Sequence, residues 1–254
     1  MKVVILAGGY GTRLSELTED IPKPMVKIGN KPIIIHIMER YAKYGYKDFI
    51  IALGYKGDYV KNYFSNLLNN SNDFTINFND GTVKKFGQSN IDWNVSLIDT
   101  GLHSMTGRRL KKLKDHIGNN PFFLTYGDGL SNVNISSLLS YHKSHGKICT
   151  LTSVRPNARF GELELTNDNE IINFAEKSQL KQGWINGGFL VFEPKIFNFI
   201  SDNNIMLERE PMKRLLETQN LMAYKHEGFW QCMDTKREYD LLNELNNNDN
   251  PPWI

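Results

Sequence analysis

The apolar pattern starts at the third residue. Val3-Val4-Ile5-Leu6 is a short unbroken run, the mark of a strand buried on both faces as in a parallel sheet. Gly8, Gly9 and Gly11 follow at once. Pro32 then stands where a first-turn proline belongs, and Ile34, Ile37, Met38 and Tyr41 recur at helical spacing, which predicts an amphipathic helix ending near Gly45. Asp48 to Leu53 reads as a second buried strand, and Gly54-Tyr55-Lys56-Gly57 turns from it into a helix reaching about Leu68. Residues 74–92, rich in Asn, Asp and Gly, predict an irregular flap. Val95 to Asp99 is a third strand. Leu110, Leu113 and Ile117 mark a helix whose other face carries Arg108, Arg109, Lys111, Lys112 and Lys114, for most of which a solvated face is expected. Phe122 to Tyr126 reads as a central strand, 134–145 as a helix and 148–154 as a strand.

Beyond that point the long crossover helices stop. Phe160 to Leu165, Ile171 to Ala175 and Trp184 to Phe192 read as strands joined by short turns. Short helices at 194–200 and 211–218, a strand at 221–226 and a helix at 235–245 complete the pattern. Asn246 to Ile254, polar and then prolyl, reads as a frayed tail or an oligomer contact. The early β-α-β-α alternation requires a parallel sheet with right-handed crossovers. The fold class is therefore α/β: a Rossmann-like mixed, mainly parallel sheet flanked by helices, with a smaller mixed or antiparallel region. No repeat or flexible linker divides the chain, so 1–254 reads as one domain.

Bulk properties narrow the function. The 254 residues are 40% hydrophobic, enough for a sizeable core. Thirty basic side chains against 28 acidic ones give a net charge of +2, which makes no case for nucleic acid or a membrane surface as partner. The first apolar run is a core strand rather than a signal peptide, and no apolar run reaches about 18 residues. A soluble cytosolic protein is expected. Cys149 and Cys232 make neither a disulfide framework nor a zinc motif and are expected as buried free thiols. The six histidines show no metal-ligand spacing, and His36, inside an apolar helix, reads as a core residue.

The candidate chemistry sits in the first 25 residues. A glycine-rich turn after a buried strand presents successive backbone N–H groups to an anion. Thr12 adds a hydroxyl, Arg13 a planar cation, and Lys23 a second cation stiffened between Pro22 and Pro24. Leu14 stands where the dinucleotide fingerprint needs its third glycine, and no Gly-Lys-Ser/Thr follows as a P-loop requires. A ligand-free turn would show the same glycines; the two cations are what point to a polyphosphate cradle at the carboxyl end of the first strand. Asp128, flanked by Gly127 and Gly129 after the central strand, is either a turn aspartate or a metal ligand. Asp234, after Phe229-Trp230-Gln231-Cys232-Met233, is either a helix N-cap or a second ligand. Trp93 and Trp230 read as core aromatics before stacking platforms.

Gly8-Gly9-Tyr10-Gly11-Thr12-Arg13-Leu14 with Pro22-Lys23-Pro24-Met25 resembles the signature of the sugar-1-phosphate nucleotidyltransferases. A longer match resembles the glucose-1-phosphate cytidylyltransferases. It runs through Gly54-Tyr55-Lys56-Gly57, Asp99-Thr100-Gly101, Ser104-Met105-Thr106-Gly107, Thr125-Tyr126-Gly127-Asp128-Gly129, Ile185-Asn186-Gly187-Gly188-Phe189 and Gly228-Phe229-Trp230-Gln231. The resemblance implies transfer of a nucleotidyl group from CTP to α-D-glucose 1-phosphate, giving CDP-glucose and pyrophosphate. It implies Mg²⁺ on Asp128 and Asp234, with Arg13 and Lys23 steadying the transition state. Leu6, Ala7, Gly8, Gly9, Tyr10, Gly11 and Thr12 would contact the nucleotide, as would Ser104 and Arg109. Glu162 and Asn186 would face sugar hydroxyls. Lys177 would reach the sugar phosphate, although Ser178 replaces the proline usual after it. The nucleotide-binding part would span about 1–130 and the sugar-binding part 131–245. A cytoplasmic homo-oligomer supplying bacterial surface-polysaccharide synthesis (O-antigen, lipopolysaccharide) is the setting implied. The nucleophile is already an anion, so no general base is needed; positioning and cations carry such reactions. Two alternatives stand beside this: the same chemistry with UTP, dTTP, GTP or another acceptor, and a nucleotide sensor without turnover. The set Arg13, Lys23, Asp128, Asp234 and Lys177 argues against the sensor.

Overall fold

The computed structural model describes residues 1–87, 91–156, 162–165, 168, 170–175 and 183–254. Its main sheet holds β1 (Lys2–Leu6), β2 (Asp48–Leu53), β3 (Asn94–Asp99), β4 (Phe122–Tyr126), β5 (Cys149–Val154), β6 (Ile185–Asn186), β7 (Leu190–Phe192) and β8 (Leu221–His226). β3, β2, β1 and β4 lie side by side and parallel, with Val4 paired to Ile50 on one edge and Leu124 on the other. β7 continues the sheet antiparallel to β4, β5 lies antiparallel to β7, and β8 closes that end parallel to β5. The chain thus steps outward from β1 to β3 and returns across β1 to lay down β4, so strand order reverses between β1 and β4.

The unbroken apolar run of β1 is buried on both sides. Val3 and Ile5 belong to a core shared with α1 (Ile33–Ala42), while Val4 and Leu6 face a second core with Leu110, Leu113 and Phe192. Pro32 stands just before α1 rather than in its first turn, and no side chain caps the helix there. Eight of its ten residues are buried, including Ile33, Ile34 and Ile37. At about 2 kcal/mol for each fully buried isoleucine, packing outweighs the missing cap.

Four expectations are corrected. Residues 74–92 are not wholly irregular: Asp73–Asn77 pairs antiparallel with Thr82–Phe86 in an exposed hairpin. Its turn is fixed by Asp80, which accepts from the Thr82 N–H at 2.9 Å and its hydroxyl at 2.7 Å. The basic helix is two pieces, α2 (Thr106–Lys112) and a turn at Lys114–Ile117, and much of its charged face is turned onto protein. Arg109 is buried, and the ammonium of Lys111 donates to the carbonyls of Phe197 and Ile200 at 3.0 and 2.9 Å. The strand drawn over 184–192 is interrupted between β6 and β7, where Phe189 holds a φ of 46° and Gly188 one of 76°. The final residues are not frayed. Trp253 is buried, its ring meets His36 edge-on at 5.9 Å, and its indole N–H donates to His36 Nδ1 at 3.2 Å.

Cys149 is buried and Cys232 half-buried, both free; burial lifts the Cys149 thiol well above its usual range. Among the described residues no helix is long and apolar enough to cross a membrane.

Candidate active site

A cleft of about 320 Å³ opens at the carboxyl ends of β1 and β4. An open α/β sheet leaves a crevice at the point where strand order reverses. Leu6, Ala7, Gly8, Gly9, Gly11 and Thr12 form one wall; Tyr126, Gly127 and Asp128 form the facing one. The glycine-rich turn is tied at several points. Its Gly8 carbonyl accepts from the Tyr55 N–H at 3.2 Å, and Thr18 Oγ1 donates to the Gly11 carbonyl at 3.0 Å. Gly11 has a φ of 68°, which favours glycine on conformational grounds. Gly9 differs: a Cβ there would meet nothing within 4 Å. Nothing packed around Gly9 excludes a side chain, so the bare backbone leaves room for a ligand.

Two aspartates reach the cleft through one short ladder. Gly129–Ser131 pairs antiparallel with Trp230–Cys232, and the Met233 N–H extends the ladder to the Asp128 carbonyl at 2.8 Å. That register sets Asp128 and Asp234 side by side although they are far apart in sequence. The ammonium of Lys23, from the tight turn at Lys23–Met25, donates to Asp128 Oδ2 at 2.6 Å and to Asp234 Oδ1. Burial works against the charge on Lys23, and Asp128 and then Asp234 more than offset it, so its pKa lies above the ordinary lysine value. Asp234 is not the helix cap. Thr235 caps α3 (Lys236–Asn246) in a capping box with Glu238, whose Oε2 also accepts the Asp234 N–H at 2.7 Å. Cys232, beside the carboxylates, is pushed up to about 12, chiefly by burial and then by Glu238, Asp234 and Asp128.

Ser104 and Arg109 line the cleft as well. Ser104 Oγ donates to the Thr100 carbonyl at 2.5 Å. The Arg109 guanidinium is turned onto backbone oxygens rather than into open space. Tyr10 does not line the cleft; it is exposed, its hydroxyl 2.8 Å from His103 Nδ1 and its ring 5.3 Å from that of Tyr55. Asn186 is exposed and linked to the cleft through Tyr126, to whose hydroxyl its amide donates at 3.4 Å. Arg13 lies in the turn Thr12–Leu14 and Glu162 in the strand Glu162–Leu165; their side chains, and Lys177 altogether, fall outside the described residues. Trp230 is a structural residue, its indole donating to the Gly187 carbonyl at 2.7 Å, and Trp93 meets Phe49 edge-on.

Three residues of this region have no role in the sequence reading, although Thr106 and Tyr126 fall within its matching motifs. Tyr126 and Thr106 line the cleft, and their hydroxyls donate to the two carboxylate oxygens of Glu208, each at 2.6 Å. Burial, and then Glu208, raises the Tyr126 pKa, so the phenol stays protonated and donating. No local signal marks Glu208, because Leu207-Glu208-Arg209-Glu210 reads as an ordinary charged surface run.

The donor set suits a hard divalent cation. Among the described residues no three His, Cys, Asp or Glu side chains form a ready-made metal cage. Two carboxylates already share one positive charge at an open cleft, and Mg²⁺ is usually bound by one or two carboxylates together with substrate phosphates and water.

The fold and cleft define an α/β protein with a polar crevice where strand order reverses, and comparison with known proteins gives its family. A profile of the nucleotidyl transferase family matches residues 2–238. The glucose-1-phosphate cytidylyltransferases of Salmonella typhimurium (strain LT2) and Salmonella typhi are each 44% identical over 254 residues, covering 100% of this chain and 98% of theirs. A crystal structure of UDP-glucose pyrophosphorylase complexed with UDP-glucose matches with a TM-score of 0.69 at 19% identity, over 96% of this chain and 97% of that one, and so shares the fold. This chain belongs to the nucleotidyl transferase family.

Proposed function

We propose that the protein catalyses Mg²⁺-dependent nucleotidyl transfer from CTP to α-D-glucose 1-phosphate. A phosphate oxygen of the sugar phosphate attacks the α-phosphorus of CTP, the bond to the β-phosphate breaks, and pyrophosphate leaves with the electron pair. The observation that carries this reading is the Lys23 ammonium held between Asp128 and Asp234 at the mouth of the glycine-rich turn. The full-length likeness to the Salmonella enzymes supports the choice of CTP and glucose 1-phosphate.

The N–H groups of the turn at Gly8 to Thr12 would receive the triphosphate. Lys23 and Arg13 would stabilise charge on the five-coordinate phosphorus, where preorganised cations contribute most. Asp128 and Asp234 would hold Mg²⁺, whose charge, when bound, offsets that of the phosphates. Ser104 would contact the nucleotide, Asn186 and Glu162 would face sugar hydroxyls, and Lys177 would reach the sugar phosphate, as the resemblance implies. Pyrophosphate release with Mg²⁺ and glucose 1-phosphate, run separately with CTP, UTP, dTTP, GTP and ATP, tests the proposal. Release with CTP alone, abolished by EDTA, is the expected result. Release with another nucleotide overturns the base assignment, and no release with any of the five overturns the reaction.

A further inference from the structure

Glu208 is half-buried and pairs with no described lysine, arginine or histidine. Each of its carboxylate oxygens is met by one hydroxyl instead. Tyr126 donates to Oε1 and Thr106 to Oε2, both at 2.6 Å. An O–H···O⁻ bond of this length is charge-assisted and about twice as strong as a neutral one. The two donors line the cleft, and Glu208 does not. They belong to different elements. Tyr126 ends β4 just before Gly127 and Asp128, and Thr106 opens α2 just after Ser104 and Met105. One carboxylate therefore joins the strand end that leads to a proposed metal ligand to the start of a helix. Asn186 extends the line, its amide donating to the Tyr126 hydroxyl at 3.4 Å.

The segment that delivers Glu208 is built onto the same helix start. The first N–H groups of a helix have no partner within it, and Met105 at the N-cap offers no side-chain bond. Residues 204–207 supply the partners. The Ile205 carbonyl accepts from the Gly107 and Arg108 N–H groups at 3.0 and 3.3 Å, and Asn204 Oδ1 accepts from that of Met105 at 2.8 Å. In return the Leu207 N–H donates to Thr106 Oγ1 at 2.9 Å, so the hydroxyl that donates to Glu208 is itself held in place. A Cβ on Gly107 would stand 2.8 Å from the Ile205 carbonyl oxygen, and glycine leaves that approach open. We propose that Glu208 is a positioning residue: its carboxylate bridges Thr106 and Tyr126, and so fixes the start of α2 against the end of β4, where Asp128 stands. The inference rests on the proposed function, since it takes the cleft as the place of transfer. In-line attack needs both phosphates held in register, and a misplacement of about 1 Å can cost about a hundredfold in rate.

Steady-state kinetics and thermal unfolding of Glu208→Ala, Tyr126→Phe, Thr106→Val, Thr106→Ser and the double variants of Glu208→Ala with Tyr126→Phe and with Thr106→Val test it. Glu208→Ala is expected to lower kcat about thirtyfold and to change the KM for CTP and for glucose 1-phosphate less than about threefold each, because alignment rather than binding is lost. Thr106→Val keeps the shape without the hydroxyl and should lower kcat about tenfold. Thr106→Ser keeps the hydroxyl and should hold kcat within about twofold of the native value. Tyr126→Phe is expected to lower the unfolding midpoint by about 4 °C in the native background and by about 1 °C at most beside Glu208→Ala, because its partner is gone. If Glu208→Ala does not fold, Glu208→Gln, which keeps the volume and only one acceptor oxygen, takes its place in the same cycles. A lowered midpoint with native kcat in Glu208→Ala would make the residue merely structural and overturn the proposal. So would a tenfold rise in one KM at native kcat, which means direct contact with that substrate, or a Thr106→Ser variant as slow as Thr106→Val. Additive thermal costs for Tyr126→Phe and Glu208→Ala would sink the bridge whatever the activity. Absence of turnover in the unaltered protein would count against the proposed function, while the thermal cycles would still decide the bridge.

Discussion

Lys23 is buried enough to be fixed and close enough to two carboxylates to stay charged. Its raised pKa sets the sign of its pH behaviour. The stabilisation is fully present below the unfolded-state value of about 10.4 and is lost only as pH climbs through the higher folded-state value. Lys23 therefore contributes no ionisation to a rate profile in the neutral range. Lys23→Gln keeps much of the side chain's length and removes the charge, and kcat/KM is expected to fall at least about a hundredfold in the pyrophosphate assay. Residues of this kind were legible in the sequence because a tight local motif carries them: the glycines, Thr12, Lys23 and Asp128 each stand beside a strand end or a proline that fixes their place. Glu208 was not legible, because what defines it is contact with Thr106 and Tyr126, residues distant in the chain. Arg109 was half legible. Its place near the nucleotide side came from the resemblance, but a cation in a basic run gives no sign that it is buried.

Among the elements, α3 bears most directly on the site. Its capping box holds Thr235, and the same Glu238 oxygen holds the N–H of Asp234. Thr235→Ala is expected to cost about 1 kcal/mol in urea melts and to leave metal dependence alone. Glu238→Ala should cost at least as much in stability and also raise the Mg²⁺ concentration for half-maximal rate severalfold, because it frees the backbone that carries Asp234. Strands 48–53 and 122–126 match their sequence reading to the residue, since an unbroken apolar run between polar ends has few other solutions. The hairpin at 73–86 escaped notice because both its strands are exposed throughout, and without a buried face no alternation is imposed on the sequence. The Gly129–Ser131 strand escaped because three residues are too few to carry a period.

For the molecule as a whole, two buried and two half-buried histidines set the response to acid. Burial pushes His36, His142, His145 and His226 below the ordinary histidine range. His36 shows the cause in its bonds: Nδ1 accepts from the Trp253 indole, so Nε2 carries the hydrogen toward the Ile28 carbonyl, and the ring is held neutral. The folded chain thus binds fewer protons than the unfolded one below about pH 6.5. The stabilisation is present above that pH and is lost as pH falls through it. Unfolding midpoints are expected to drop steadily between pH 7 and 5, and His36→Gln should shallow that slope. At this scale the parallel half of the sheet was legible from its β-α alternation, and the mixed half from the loss of crossover helices. The order of strands was not, because adjacency depends on which edge of β1 remains open when β4 arrives. That reversal also has a consequence in time. β1 can join β2 once the helix between them forms, across a short closure. β4 must wait for most of the first half of the chain to be laid down before it meets the other edge, and long closures come late. The cleft lies in the seam completed afterwards, so a chain halted before that seam closes has much of its sheet and no site. Anything that binds the cleft then acts on the finished protein, slowing its unfolding while leaving the speed of folding untouched.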